Sequence, residues 1–180
     1  MIPSPGQAVL RAALGGMSPK YNRRPERARE MSQSLTRIIV HAVFSTKNRE
    51  PILALEIRAE LYAYMGGILK SLSCVPLAIN GTNDHVHLLF IQSKNIALAK
   101  VFEEVKGTSS QWIKTKSVAM KNFAWQGGYG AFSVSESMRQ TVSEYIANQE
   151  EHHRKRTFQE ELIALFKNHQ VEYDEKYLWT

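Results

Sequence analysis

Apolar side chains recur along this chain with two different periods, and the alternation between them outlines the fold. Residues 35–44 (LTRIIVHAVF) are β-branched and apolar, which predicts a strand. Leu53, Ile57, Leu61, Tyr64, Ile68 and Leu72 then repeat at helical spacing, with Gly66-Gly67 as a weak point and Pro51 suited to the first turn. Residues 74–80 read as a second strand, in which Pro76 favours an edge position or a bulge. Asn80-Gly81-Thr82-Asn83 is a turn cluster, and residues 85–91 (HVHLLFI) form a third, largely buried strand. A second helix is predicted over 96–114, with Leu98, Val101, Phe102, Val105, Trp112 and Ile113 on its apolar face. The glycine-rich stretch 125–132 (WQGGYGAF) mixes loop with a short strand. Ser133-Val134-Ser135-Glu136 has the form of a capping box opening a third helix, whose stripe carries Met138, Val142, Tyr145 and Gln149. Thr157-Phe158-Gln159-Glu160 repeats that form before a final helix reaching about Asn168. The aromatic tail 171–180 is expected to pack on the body or on a second subunit.

The resulting order, β-α-β-β-α-β-α, predicts an α+β fold. It is a ferredoxin-like, RRM-like antiparallel sheet with helices on one face and a C-terminal tyrosine-bearing helix. The other sheet face is left open for a site. Residues 1–30, with Pro3, Pro5, Pro25 and Gly15-Gly16, read as a poorly ordered leader. Met31 directly precedes the first periodic segment, so an upstream start accounts for the leader better than a basic DNA-binding arm does. Residues 31–180 are then a single domain.

Composition narrows the class only a little. At 43% hydrophobic and 22% charged, the 180-residue chain is of globular type. A single cysteine, Cys74, excludes an internal disulfide and an all-cysteine metal site, and makes the cytoplasm the default location. No apolar run approaches the ~20 residues of a membrane helix, so no membrane partner is expected. Of the net charge of +6, +4 falls in residues 1–30. Nucleic-acid binding by the core must therefore rest on local patches.

The chemistry concentrates in two short motifs. His85 and His87 flank one residue on a predicted strand and so share a face. Tyr145 and Gln149 are four apart on a predicted helix and share a stripe. Neutral imidazoles ligate Mn, Zn, Ni or Co, and added oxygen ligands bring Mg or Mn into range. Gln149 offers an amide oxygen compatible with a hard cation. Tyr145, one turn away, would be a nucleophile for a phosphate, although its reference pKa near ~10 requires activation. Alone, each motif has a plainer reading: an H-x-H pair buried for packing, a tyrosine on an apolar stripe, a solvated glutamine. Their coincidence favours the functional reading.

Asp84 reads better as a turn residue than as a partner of His85. His152 and His153 lie in a charged run, and His153 is spaced to extend the site. The face of His41 cannot be fixed from sequence. Lys47, Arg49, Lys106, Lys114, Lys116, Arg154, Lys155 and Arg156 are candidate phosphate contacts. Trp125 and Tyr129 are candidates for stacking on unpaired bases, or equally for anchoring their loop.

These stretches resemble a known family. VFSTKNREPIL (43–53), NDHVHLLF (83–90), VKGTSSQWI (105–113), WQGGYGAFSVS (125–135), YIANQEEHHRKRTFQEE (145–161) and YDEKYLW (173–179) are similar to the single-tyrosine HUH transposases of the insertion-sequence 200/605 group. That group includes domesticated relatives associated with repetitive extragenic palindromes. The resemblance implies that His85, His87 and Gln149 are metal ligands and that Tyr145 is the nucleophile. It further implies Mg or Mn as cofactor, hairpin-bearing single-stranded DNA as substrate, and a homodimer whose tyrosine acts in cis or in trans. Two other readings remain open at this point. One is a domesticated hairpin-binding protein that no longer mobilises its own gene; the other is a phosphodiesterase in which water attacks.

Overall fold

A computed structural model of the protein describes residues 34–178. The leader assigned to residues 1–30 lies outside the described residues. Four strands form one antiparallel sheet in the order β2-β3-β1-β4: β1 (Ile39–Ser45), β2 (Val75–Gly81), β3 (His85–Ile91) and β4 (Gly130–Val134). Helix α1 (Leu55–Ser71) joins β1 to β2, and α2 (Leu98–Lys114) joins β3 to β4. This is the ferredoxin-like arrangement expected from the element order. Pro76 meets both expectations for it: β2 is an edge strand, and its pairing with β3 slips between Pro76 and Ala78. The first strand starts later than its apolar run, because Ile38 is exposed and only from Ile39 do side chains face neighbours on both sides.

Strand alternation divides the sheet chemically. Val40, Ala42 and Phe44 of β1 and Val86, Leu88 and Phe90 of β3 point to one face. There they meet Leu61, Met65 and Leu69 of α1 and Val101, Phe102, Val105 and Ile113 of α2. Each such fully buried side chain contributes about 1.5–3 kcal/mol relative to exposure, so this face supplies the main core. The alternate residues of the same strands, His41, Val43, His85, His87 and Leu89, point the opposite way.

That second face is closed as well, which the element order left open. Helices α3 (Arg139–Ala147), α4 (Gln149–His153) and α5 (Phe158–Asn168) cover it. Ile146 packs on Ile39 and Leu89, while Phe158, Leu162 and Phe166 pack on Val43 and Phe132. The tail adds Tyr173, stacked 5.2 Å from Phe166, and Leu178, on the last short helix α6 (Glu175–Leu178). The tail thus packs on its own body.

The two capping-box expectations part here. Thr157 and Glu160 form the box as read: Glu160 N donates to Thr157 Oγ1 at 3.3 Å and Thr157 N to Glu160 Oε2 at 2.9 Å. Ser133 does not cap. It is in β4, paired with Val40, and the chain enters α3 through a tight turn at Glu136–Met138. The tyrosine helix also breaks at Asn148, separating α3 from α4. Asn80 Nδ2 donates to the carbonyls of Ile146 (3.0 Å) and Ala147 (2.9 Å), two acceptors that the break leaves without helical partners.

Candidate active site

The site lies on the second sheet face, beneath α3–α5. Val43 pairs with His87 and Ser45 with His85, so the H-x-H pair sits mid-sheet, with both imidazoles buried. The turn before β3 is tight: a Cβ on Gly81 would lie 2.1 Å from the His85 carbonyl oxygen, so only glycine fits there.

Each imidazole is oriented through its Nδ1. His85 Nδ1 donates to Asp84 Oδ1 at 2.7 Å. Asp84 is in turn held by Thr82 Oγ1 (2.9 Å) and by Arg49, whose Nη2 donates to Oδ2 at 2.9 Å. Burial opposes ionisation of Asp84, but the hydrogen bonds from His85, Arg49 and Thr82 hold its carboxyl well below the usual carboxylate range. Asp84 is therefore more than the turn residue its position suggested. His87 Nδ1 lies 3.0 Å from Nε2 of His41, which places His41 on the site face. His153 Nδ1 donates to the Arg156 carbonyl at 2.9 Å. Burial lowers the pKa of His41 to about 3, of His153 to about 4, and of His87 well below its ordinary value. With Nδ1 so occupied, His85, His87 and His153 turn Nε2 inward.

What they face is Glu161, a residue that the sequence reading passed over. It is 2% exposed, on the buried stripe of α5 between Phe158 and Leu162. Tyr145 donates its hydroxyl proton to Glu161 Oε1 in a short hydrogen bond, and Gln149 Nε2 donates to the same oxygen at 3.2 Å. Burial pushes the Glu161 carboxyl up to about 7. Around it stand His153 Nε2 (3.1 Å from Oε2), His87 Nε2 (3.5 Å from Oε1) and His85 Nε2 (3.9 Å from Oε2). His85, His87, His153 and Glu161 each offer one ligand atom, all within 4.8 Å of one another. His87 Nε2 and Glu161 Oε2 are buried without a hydrogen-bond partner among the described residues. Gln149 Oε1 also faces this centre, 3.0 Å from His153 Nε2 and 3.5 Å from His85 Nε2.

The predicted set is thus brought together from one chain: His85, His87, Tyr145 and Gln149 share one centre. The tyrosine ring stands edge-on to His87 at 5.9 Å and to His41 at 6.1 Å. A cavity of about 590 Å³ opens beside Tyr145 and Glu161, walled by Val142 and Leu165 and bordered by Arg156.

The predicted DNA contacts divide. Lys47, Arg154 and Lys155 are exposed, the last two near Glu151 at 2.9 and 3.6 Å. Arg49 instead braces Asp84. Lys106 is spent on the backbone, donating to the carbonyls of Gln126 (2.7 Å) and Gly128. Trp125 does not offer a stacking face: it is 8% exposed, packs edge-on to Phe44 and Phe123, and donates its indole N–H to Ser109 Oγ at 3.0 Å. It anchors its loop. Tyr129 is stacked on Phe102 at 3.8 Å.

The profile of the IS200-like transposase family matches residues 34–149, a span that takes in the whole sheet, Tyr145 and Gln149. Fold and match together place the protein among the transposases. More particularly, the chain belongs to the IS200-like transposase family. Its fold is similar to the crystal structure of a protein described as a transposase from Deinococcus radiodurans R1, with TM-score 0.52 and 23% identity over 64% of this chain and 93% of that one. A REP-associated tyrosine transposase bound to a REP hairpin gives a TM-score of 0.48 and 13% identity, covering 66% and 72%. No match was found among proteins with curated functional descriptions. The family match ends at Gln149, so His153 and Glu161 lie beyond it. No helix among the described residues is long and apolar enough to cross a membrane.

Proposed function

We propose that this protein cuts and rejoins single-stranded DNA through Tyr145. One observation carries the reading: the Tyr145 hydroxyl is hydrogen-bonded to a buried carboxylate beside the inward-facing Nε2 atoms of His85 and His87. In the reaction the phenol oxygen forms a bond to phosphorus, and the bond from phosphorus to a deoxyribose oxygen breaks. The phenol proton passes to Glu161 Oε1, the atom already accepting it, whose proton affinity burial has raised. The departing deoxyribose oxygen takes up a proton from solvent and leaves as a hydroxyl. Because the phosphotyrosine keeps the bond's energy, that hydroxyl or another can reverse the step and join strands without an external energy source.

The donor set fits a divalent cation. His85 and His87, with Gln149 oxygen nearby, would hold it, and a bound Mg or Mn would offset negative charge on the phosphate. Asp84 keeps His85 in the tautomer that ligation needs, and His41 does the same for His87 with its Nε2 accepting from His87 Nδ1. The cavity beside Tyr145, bordered by Arg156, gives the DNA backbone its approach. Lys47, Arg154 and Lys155 would neutralise flanking phosphates. The family resemblance supplies the rest of the reading: hairpin-bearing DNA as the substrate and a homodimer as the working form.

The test uses labelled single-stranded hairpin DNA from the gene's own flanks, with Mn or Mg, on a denaturing gel. The wild type should form a covalent protein–DNA adduct, and Tyr145→Phe should bind the DNA without forming one. Cleavage without an adduct would assign a water-attack phosphodiesterase instead. Binding without cleavage by the wild type would assign a recognition protein that no longer mobilises its gene.

A further inference from the structure

Three imidazole nitrogens and a carboxylate converge on one buried point beneath α3–α5. His153 is the clearest case. Its Nδ1 hydrogen is given to the Arg156 carbonyl at 2.9 Å, which leaves Nε2 as the ring's remaining lone-pair position. That lone pair faces two further acceptors, Gln149 Oε1 at 3.0 Å and Glu161 Oε2 at 3.1 Å. His87 Nε2 and Glu161 Oε2 are equally unanswered and are almost wholly buried. Buried acceptors in this arrangement call for a cation among them.

We infer that His153 and Glu161 join His85 and His87 around one divalent cation, and that this donor set prefers Mn or another imidazole-binding transition ion over Mg. The inference rests on the proposed reading of His85 and His87 as ligands, and adds two ligands from beyond the family match. The spacing supports it. Donors about 2.1 Å from a common ion are about 3.0–3.4 Å apart in octahedral or tetrahedral geometry. Glu161 Oε2 lies 3.1 Å from His153 Nε2 and 3.9 Å from His85 Nε2, His87 Nε2 lies 3.5 Å from Oε1, and all four donors fall within 4.8 Å, so a bound ion would draw the widest pairs together. The two carboxylate oxygens divide the work: Oε1 takes the Tyr145 proton, and Oε2 faces His153 and His85. Even with the Gln149 amide oxygen counted, a set of three nitrogens and one carboxylate is soft for Mg, whose preferred sites are oxygen-rich and keep several waters.

The test is ion binding by the full chain without DNA. Competition with a fluorescent chelator gives Mn and Mg affinities. X-ray absorption of the Mn-loaded protein counts the imidazoles. Wild type should bind Mn at least tenfold more tightly than Mg and show three imidazoles. His153→Ala should show two, and Glu161→Gln should weaken Mn binding at least tenfold. If both variants bind like the wild type, or if wild type shows only two imidazoles, the inference is wrong while the histidine pair stands. If His85→Ala also binds Mn normally, the proposed function's ion site fails with it. Should Glu161→Gln not fold, the imidazole count of His153→Ala decides alone, because His153 sits at the edge of the site.

Discussion

Asp84 shows how much of this site depends on a residue that touches no substrate. Its carboxylate fixes the His85 tautomer and is itself held by Arg49 and Thr82. Asp84→Ala should therefore lower metal affinity about 10–100-fold while leaving the sheet intact, as read by ion titration beside circular dichroism. His41 is the counterpart for His87, and its buried neutral ring makes the fold acid-sensitive. In the folded state its pKa is lowered to about 3; in the unfolded chain it returns to about 6.5. The unfolded state thus binds more protons between those values, and stability falls as pH drops below about 6.5. Glu161 works the other way, its stabilisation fading as pH rises toward about 7, but His87 and His153 side with His41. The metal-free protein should melt at a lower temperature at pH 5 than at pH 7, and His41→Leu should flatten that difference. The H-x-H pair was legible because strand alternation forces the two rings together. Glu161 was not, because its neighbour Glu160 satisfied the capping box and Glu161 itself matched no spacing motif. The available signal was a carboxylate in register with Phe158, Leu162 and Leu165 on an apolar stripe.

At the scale of elements, the decisive feature is the break at Asn148. A continuous helix was expected to carry both Tyr145 and Gln149; two shorter ones do so, with the seam held by Asn80 from the edge strand. Nothing in the spacing of apolar residues announces a break, because the stripe runs through it, and the stabilising contact comes from sixty-odd residues upstream. Asn80→Ala should cost about 1 kcal/mol and slow adduct formation more than DNA binding, as single-turnover kinetics would show. Helix α5 delivers Glu161 one turn after its cap, so Thr157→Ala, costing about 1 kcal/mol of helix stability, should also weaken ion binding. Ser133→Ala should do neither, because Ser133 caps nothing. The Trp125 loop is legible in hindsight from its partners rather than its composition: an indole next to glycines suits a stacking platform until Ser109 and Phe44 are seen to enclose it.

At the scale of the whole molecule, the proposed ion links the middle of the sheet to helix α5. Ligands that come together only on folding make ion binding a stabilising force, about 2.7 kcal/mol at a hundredfold excess over Kd. The melting temperature should rise on adding Mn, and that rise should vanish in His87→Ala. The sheet itself has a further consequence. Even-numbered residues of β1 and β3 build the main core, and odd-numbered ones build the site, with only the backbone between them. The two sides are therefore free to change separately. Chemistry can be lost from one side by exchanging His85 and His87 for apolar residues of similar size, while the other side keeps the chain folded. On the proposed reading, a folded protein that cuts no DNA is then only two substitutions away from one that does.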